Sequence, residues 1–526
     1  MRIRFPLLIL AAAVALLPGT THAQASGAPQ RATVHTTEGT LGGVVTSDVR
    51  TFSGIPYAAP PTGARRWQPP GRAPVWTGVR DATKPGSPCP QLDGSTPGRP
   101  PKVVGNENCL FLNVTTPAAR STGPLPVMVW IHGGGFVQGA GSDYDATRLT
   151  TQGKVITVTL NYRLGALGYL AHPDLRDPYA GNYALADQQA ALRWVKSNIA
   201  AFGGDPANVT IFGESAGGFS VCAHLEAPGS RGLFQKAIVQ SGPCGNDFVT
   251  LKEARARATK IASDLGCTTQ VLACLRAKPV MDLLPIGSDR VFTATARIGD
   301  MPWIFTAGTP ALPLQPLDAL RRARTARVPL IQGGTHDEMR PFVAVQFDAQ
   351  GLPVTAQQYP QILLDLMGDD ARAVLDRYPL GRFATPSLAL ATVLSDWGRK
   401  LGACSQIPAA EAAARHMPVY EFEFAEDSGQ QIVGLPLGAA HGTDVPYLLD
   451  GQGTPLTTPA KQELSRDMIA YWTRFAATGD PNGPGLPRWP AYRSGGGATL
   501  SLASGPDGIR QVDLATEHDC AFWNGN

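Results

Sequence analysis

The sequence predicts an α/β protein built on a mostly parallel central sheet, with helices on both faces and large helical insertions. Three observations point there. Short apolar runs rich in β-branched residues recur along the chain, helical patterns separate them, and two long Ala- and Leu-rich stretches carry no strand pattern. Near-continuous apolar strands are buried on both sides, as in parallel sheets covered by helices.

In chain order, "TVHTTEGTLGGVVTSDVRTFSGIPYAAPPTG" mixes short apolar runs with Gly and Pro, which predicts strands and turns. The runs "LFLNVT" (110–115), "PVMVWIH" (126–132), "KVITVTLNY" (154–162), "VTIF" (209–212), "KAIVQSG" (236–242) and "VPLIQGG" (328–334) predict the sheet, and "PVYEFEF" (418–424) adds a strand. Between them "YALADQQAALRWVKSNIAAF" (183–202) predicts a helix closed by Gly203 and Gly204. The stretches 250–325 and 355–415 read as helical insertions. No repeat or long low-complexity linker divides the chain, so residues 24–526 are expected to form one domain.

The first 23 residues differ from the rest. Arg2 and Arg4 precede an apolar run from Leu7 to Leu17, and "THA" at 21–23 supplies small residues at cleavage spacing. This is the pattern of a secretory signal peptide. The apolar run is too short to cross about 30 Å of hydrocarbon as a helix. The expected location is secreted or periplasmic, with no integral membrane segment in the mature chain.

The formal charge is +3, and removing the leader's two arginines leaves +1. A nearly neutral chain without a long basic run argues against nucleic acid or an anionic membrane as partner. All eight cysteines follow the leader, and an even number in an exported protein predicts disulfides. No CxxC pair or Cys/His cluster stands at zinc spacing, so neither metal nor cofactor is expected.

The chemistry lies in "FGESAGG" (212–218). A Gly-x-Ser-x-Gly pattern alone is weak, because a plain turn serine looks the same. Its setting decides. An apolar strand precedes it and a helix pattern starts at Gly217, so Ser215 sits on a strand-to-helix elbow, the context expected of a nucleophile in α/β-hydrolases. Gly213 and Gly217 let neighbouring backbone pass close by. The helix start aims N–H groups at a developing oxyanion. "HGGGF" (132–136), leaving another strand, offers more bare N–H groups; a phosphate cradle is the weaker reading, since no Lys-Ser/Thr follows.

A serine nucleophile needs a base and an orienting carboxylate, in the order Ser, acid, His. His416, His441 and His518 follow both the serine and "VPLIQGGTHDE". His441, in the Gly-flanked loop "GAAHGTD", is the favoured base. Asp337 and Glu338 are the candidate acids, and spacing does not choose between them. His336 reads as a polar loop residue.

"FSGIPYAAPPTGARRWQPP", "ENCLFLNV", "VMVWIHGGGFVQG", "NYRLGALGYL", "GNYALADQQAALRWVKSNIAAFGGDPANVTIFGESAGG" and "CAFWN" together resemble the type-B carboxylesterase family, the cholinesterase-like branch of the α/β-hydrolase fold, from about residue 32 to 524. The resemblance implies Ser215 as nucleophile, Glu338 as acid and His441 as base, with the N–H groups of Gly134, Gly135 and Ala216 as oxyanion donors. It also implies Ser241 as a support for the acid and Glu214 as an anchor of the elbow. One departure is Met339, where the family usually has Gly. The family's bridges match Cys89–Cys109, Cys267–Cys274 and Cys404–Cys520, which leaves Cys222 and Cys244 to pair.

The implied activity is hydrolysis of carboxylic esters by a Ser-His-Glu triad through an acyl-enzyme, with a small-molecule ester and water as partners. The alternatives are an interfacial lipase and a non-catalytic cholinesterase-like binding domain, and the intact triad and HGGG segment weigh against the second. The loop "PQLDGSTPGRPPKVVGNEN" (90–108) decides the expected substrate. In cholinesterases this loop carries a tryptophan for the quaternary ammonium; here it has no aromatic residue and carries Arg99 and Lys102. Gly94, Pro97, Gly98, Pro100 and Pro101 break any helical lipase lid. Uncharged short- to medium-chain or aryl esters are therefore expected.

Overall fold

The computed structural model describes residues 30–524 except 94–100, 288–292, 399, 454, 494 and 496. The expected leader (1–23) and the part of the 90–108 loop holding Gly94, Pro97, Gly98, Arg99 and Pro100 lie outside the described residues.

Among the described residues thirteen strands form one sheet. They are β1 (Gln30–Thr36), β2 (Gly39–Val45), β3 (Val49–Pro56), β4 (Val79–Asp81), β5 (Phe111–Pro117), β6 (Leu125–Ile131) and β7 (Ile156–Leu160). Then follow β8 (Gly204–Glu214), β9 (Lys236–Gln240), β10 (Leu330–Thr335), β11 (Val419–Phe424), β12 (Thr499–Leu502) and β13 (Ile509–Val512). Their order across the sheet is β1-β2-β3-β5-β7-β6-β8-β9-β10-β11-β12-β13, with β4 beside β2. From β7 to β12 every neighbouring pair is parallel, and antiparallel strands flank this block. This is the α/β-hydrolase arrangement, a mostly parallel sheet between helical layers.

Alternation along the strands builds the two layers. Val127, Val129 and Ile131 of β6 pack in one apolar cluster with Leu192 and Val195 of α1 (Tyr183–Asn198). Met128 and Trp130 of β6 face the other way, into a cluster with Trp472 and Phe475 of a helix at Pro459–Thr478. The sequence reading did not anticipate that helix, nor the β12–β13 hairpin. Yet the helix carries ordinary signals: the Thr458 side chain accepts from the Lys461 N–H, Pro459 opens the first turn, and Gly479 at φ 84° ends it.

The expected insertions are helical, with helices such as Leu251–Asp264 in the first and Gln358–Met367, Pro386–Asp396 and Gln406–Ala414 in the second. All eight cysteines are paired, as Cys89–Cys109, Cys222–Cys244, Cys267–Cys274 and Cys404–Cys520. The last bridge fastens the C-terminal segment to the second insertion. Among the described residues no helix is long and apolar enough to cross a membrane.

Candidate active site

Parallel register brings the carboxyl ends of β6, β8, β9 and β10 together: Ile131 lies beside Gly213, Glu214 beside Gln240, and Gln240 beside Gly333. Such an edge is where open α/β sheets bind ligands. Each strand delivers one part of the site.

β8 ends at Glu214 and α2 (Ala216–Glu226) starts two residues later, so Ser215 makes the whole turn at φ 58°, ψ −121°. A non-glycine residue there costs about 1–3 kcal/mol, which the surrounding packing must offset. Here the Ser215 N–H donates to Gln240 O at 2.9 Å, and the helix is pressed onto β6. A Cβ on Gly217 would lie 1.9 Å from Ile131 O, and one on Gly213 2.6 Å from the same oxygen. Both glycines are needed for that close approach.

β6 delivers the "HGGGF" segment. Gly134 (φ 94°) and Gly135 (φ 60°) take left-handed conformations. The N–H groups of Gly134, Gly135 and Ala216 donate to no protein acceptor among the described residues. His132 is buried and stacked on Tyr162 at 4.3 Å, and burial lowers its pKa to about 4, so it is a neutral support for this segment. A Cβ on Gly133 would come within 2.8 Å of Glu214 Oε2.

The loop after β10 separates the two candidate acids. Glu338 is fully buried; its Oε2 accepts from His441 Nδ1 at 2.6 Å and its Oε1 from the Thr335 N–H at 2.8 Å. Asp337 turns away, pairing with Arg340 at 2.7 Å and accepting from the Ala439 N–H at 3.0 Å, so it braces the loop that carries His441. Met339 has φ −96°, a conformation open to any residue, and its N–H donates to Ser395 Oγ.

Two expected supports differ in the structure. Ser241 Oγ is buried without a hydrogen-bond partner among the described residues, so it does not brace Glu338; the Thr335 backbone does. The reason is local: Ser241 is held at φ 50° with its N–H bonded to Gly333 O. Glu214, expected to anchor the elbow, also turns its carboxylate to the base. Its Oε1 stands 3.2 Å from His441 Nε2, so the imidazole has a carboxylate at each nitrogen.

Burial alone would lower the His441 pKa, but Glu214, Glu338 and Asp444 together raise it above the ordinary 6.5. Burial pushes Glu214 up to about 8. Both groups are thus shifted towards their protonated forms, Glu214 by burial and His441 by the carboxylates around it. Of the other histidines, His416 is exposed, His336 meets Glu423, and His518 is buried between Asp396 and Glu423.

Ser215, His441, Glu214, Gly134, Gly135 and Ala216 line one cavity of about 480 Å³. Gln91, Leu92, Asp93 and Val104 close one side, and Phe342 lies 5.2 Å from the His441 ring. Phe342 lies between the stretches that the sequence reading assigned and Lys400 in one read only as helical, with no motif to mark either. Asp444 stood in "GAAHGTD" without a role; it is buried, accepts from Gln240 Nε2 at 2.6 Å, and its charge bears on His441.

The Carboxylesterase family pattern matches residues 30–523. The chain is 36% identical to para-nitrobenzyl esterase of Bacillus subtilis over 486 residues, covering 90% of this chain and 94% of the relative. It is 34% identical to a pyrethroid hydrolase of Rattus norvegicus over 480 residues, covering 85% and 80%. A solved PNB esterase structure superposes with a TM-score of 0.77 at 34% identity, covering 93% of this chain and 99% of that one. The chain belongs to the carboxylesterase family and is a carboxylic ester hydrolase.

Proposed function

We propose that this carboxylesterase is a secreted or periplasmic serine esterase in which Ser215, His441 and Glu338 form the triad. The supporting observation is the buried 2.6 Å contact between His441 Nδ1 and Glu338, on an imidazole that shares a cavity with Ser215. Ser215 Oγ attacks the ester carbonyl while His441 Nε2 takes its proton. The negative charge that forms on the carbonyl oxygen is met by the N–H groups of Gly134, Gly135 and Ala216. His441 returns the proton to the alkoxide, the alcohol leaves, and Ser215 is acylated. Water then attacks the acyl-enzyme by the same route and releases the acid. Glu338 holds the ring in one tautomer and stabilises the imidazolium.

The substrates are uncharged esters with short- to medium-chain or aryl groups. Two relatives are named for the hydrolysis of para-nitrobenzyl esters and of pyrethroids. The 90–108 loop supplies no aromatic face for a quaternary ammonium, a contact worth about 2 kcal/mol in a dry site. Paired cysteines suit an oxidising compartment, and a cleaved leader of residues 1–23 with one domain at 24–526 completes the reading. kcat/KM for p-nitrophenyl butyrate, butyrylthiocholine and emulsified triolein tests it. p-Nitrophenyl butyrate should be preferred; preference for the choline ester, or a rate jump at the triolein interface, overturns the substrate reading.

A further inference from the structure

Outside the Ser215 cavity three metal-ligating side chains converge that the proposed chemistry does not use. His336 lies in the loop after β10, Glu423 near the end of β11, and His518 just after the short helix Leu514–Glu517. His336 Nδ1 and His518 Nε2 both meet Glu423 Oε1, at 3.1 and 2.5 Å, and the two rings stand 4.8 Å apart. One ligand atom from each residue lies within 4.8 Å of the others. Glu423 is 87 residues from His336 and 95 from His518 along the chain, so no motif at zinc spacing marks them in the sequence.

Each side chain is aimed by its surroundings. Asp396 Oδ1 stands 2.6 Å from His518 Nδ1, and its Oδ2 accepts from the Tyr378 hydroxyl at 2.8 Å. With Nδ1 engaged, Nε2 is the atom presented to Glu423, the carboxylate–imidazole order that orients a metal-bound histidine and raises its basicity. The His336 N–H donates to Phe424 O at 3.0 Å, which fixes the loop against β11. The Glu423 side chain is 3% exposed, and a carboxylate buried so deeply needs positive charge beside it. A further oxygen donor adjoins it, because the exposed Glu517 carboxyl is hydrogen-bonded to Glu423. The His336 side chain is 43% exposed, so the cluster opens to solvent on that side. Calcium and magnesium take oxygen ligands, whereas imidazole nitrogens beside a carboxylate suit zinc and its neighbours. With bonds of about 2.0–2.2 Å, one such ion reaches all three atoms once the side chains part around it. Without an ion, protons join these groups; an ion takes their place and releases them to solvent.

We propose that His336, Glu423 and His518 form a structural site for a late first-row divalent metal of the zinc class, with Glu517 as a fourth ligand and Asp396 orienting His518. The ion ties the C-terminal segment to β11 and to the loop that carries Glu338, two residues beyond His336. The test uses the full chain without an affinity tag, stripped of metal by dialysis against a chelator, with zinc as the probe. Calorimetric titration should show one zinc bound per chain, and the thermal midpoint should rise with zinc, as it does for any ligand of the folded state. His336→Gln, at the exposed edge of the cluster, should weaken zinc binding by at least about tenfold and remove the rise. Glu423→Gln should do the same; if that buried variant fails to fold, His336→Gln decides alone. His416→Gln, at an exposed histidine outside the cluster, should change neither quantity. No zinc bound at micromolar concentration, or a loss of less than about tenfold in His336→Gln, overturns the proposal and leaves the cluster a hydrogen-bonded clamp. An equal loss in His416→Gln marks an adventitious surface ion and overturns it as well. The readout is binding and thermal stability, so the result stands apart from whether the ester chemistry proceeds as proposed.

Discussion

Two histidines in this molecule have nearly the same surroundings. His441 has Glu338 at 2.6 Å from Nδ1 and Glu214 at 3.2 Å from Nε2. His518 has Asp396 at 2.6 Å from Nδ1 and Glu423 at 2.5 Å from Nε2. Both have raised pKa values, because carboxylates outweigh the burial that would lower them. What separates them is access. The His441 side chain is 13% exposed and lines the cavity of Ser215, whereas that of His518 is 1% exposed and lies two residues before bridged Cys520. A histidine between carboxylates is therefore not a catalytic signature by itself. With a cavity it can exchange a proton with a substrate; sealed, it is a charged clamp.

The largest effect that would sharpen this contrast is on turnover. Ser215→Ala should lower kcat by about 10⁴–10⁶-fold, as loss of a triad nucleophile does, with little change in thermal midpoint. An organophosphate adduct mapped to another serine would remove Ser215 from the role. Glu338→Gln should cost about 10³–10⁴-fold by losing control of the imidazole tautomer. Asp337→Asn, which affects only the loop brace, should cost far less, and a larger loss there would exchange the two acids.

The clamp should respond in the opposite way. Asp396→Asn, which breaks a buried pair, should destabilise the fold by about 3 kcal/mol with kcat per folded molecule retained. Its pH dependence has a definite sign. The folded pKa of His518, about 10, lies above the ordinary 6.5. Its contribution to stability is thus complete below about 6.5 and is lost as pH rises towards about 10. Thermal midpoints across that window should fall for the wild type and fall less for Asp396→Asn; equal slopes would break the comparison.

The smallest effect concerns Glu214. General-base catalysis needs neutral His441, so activity should drop as pH falls through its raised pKa. Glu214→Gln removes one carboxylate that raises it and should move the acidic limb of kcat/KM to lower pH. A limb that stays in place would assign the shift to Glu338 and Asp444 alone.

Much of the fold was legible in the chain because parallel strands are local signals. "PVMVWIH", "KAIVQSG" and "VPLIQGG" are short apolar runs that need no knowledge of their neighbours, and each lies within a residue or two of a strand. Thr499–Leu502 was missed because its two leucines alternate with Thr499 and Ser501 and form no continuous apolar run. Pro459–Thr478 was missed although its caps were present, since its apolar residues are interleaved with charges from Lys461 to Arg474.

By itself the sequence determined the chemistry available and its order along the chain. A serine between glycines at a strand end, three glycines after another strand, then an acidic pair and a histidine are all matters of local backbone and composition. The tertiary structure alone decided which groups meet. It turned Glu338 to His441 and Asp337 to the Ala439 N–H, brought Glu214 to the other ring nitrogen, left Ser241 apart from the acid, and set Lys400 on the cavity wall. The physical reason is range. A strand or an elbow is specified by a few adjacent residues, whereas a side chain's partner depends on packing between segments about a hundred or more residues apart, as from Glu338 to His441 or Glu214 to His441, and no short window of sequence encodes that direction.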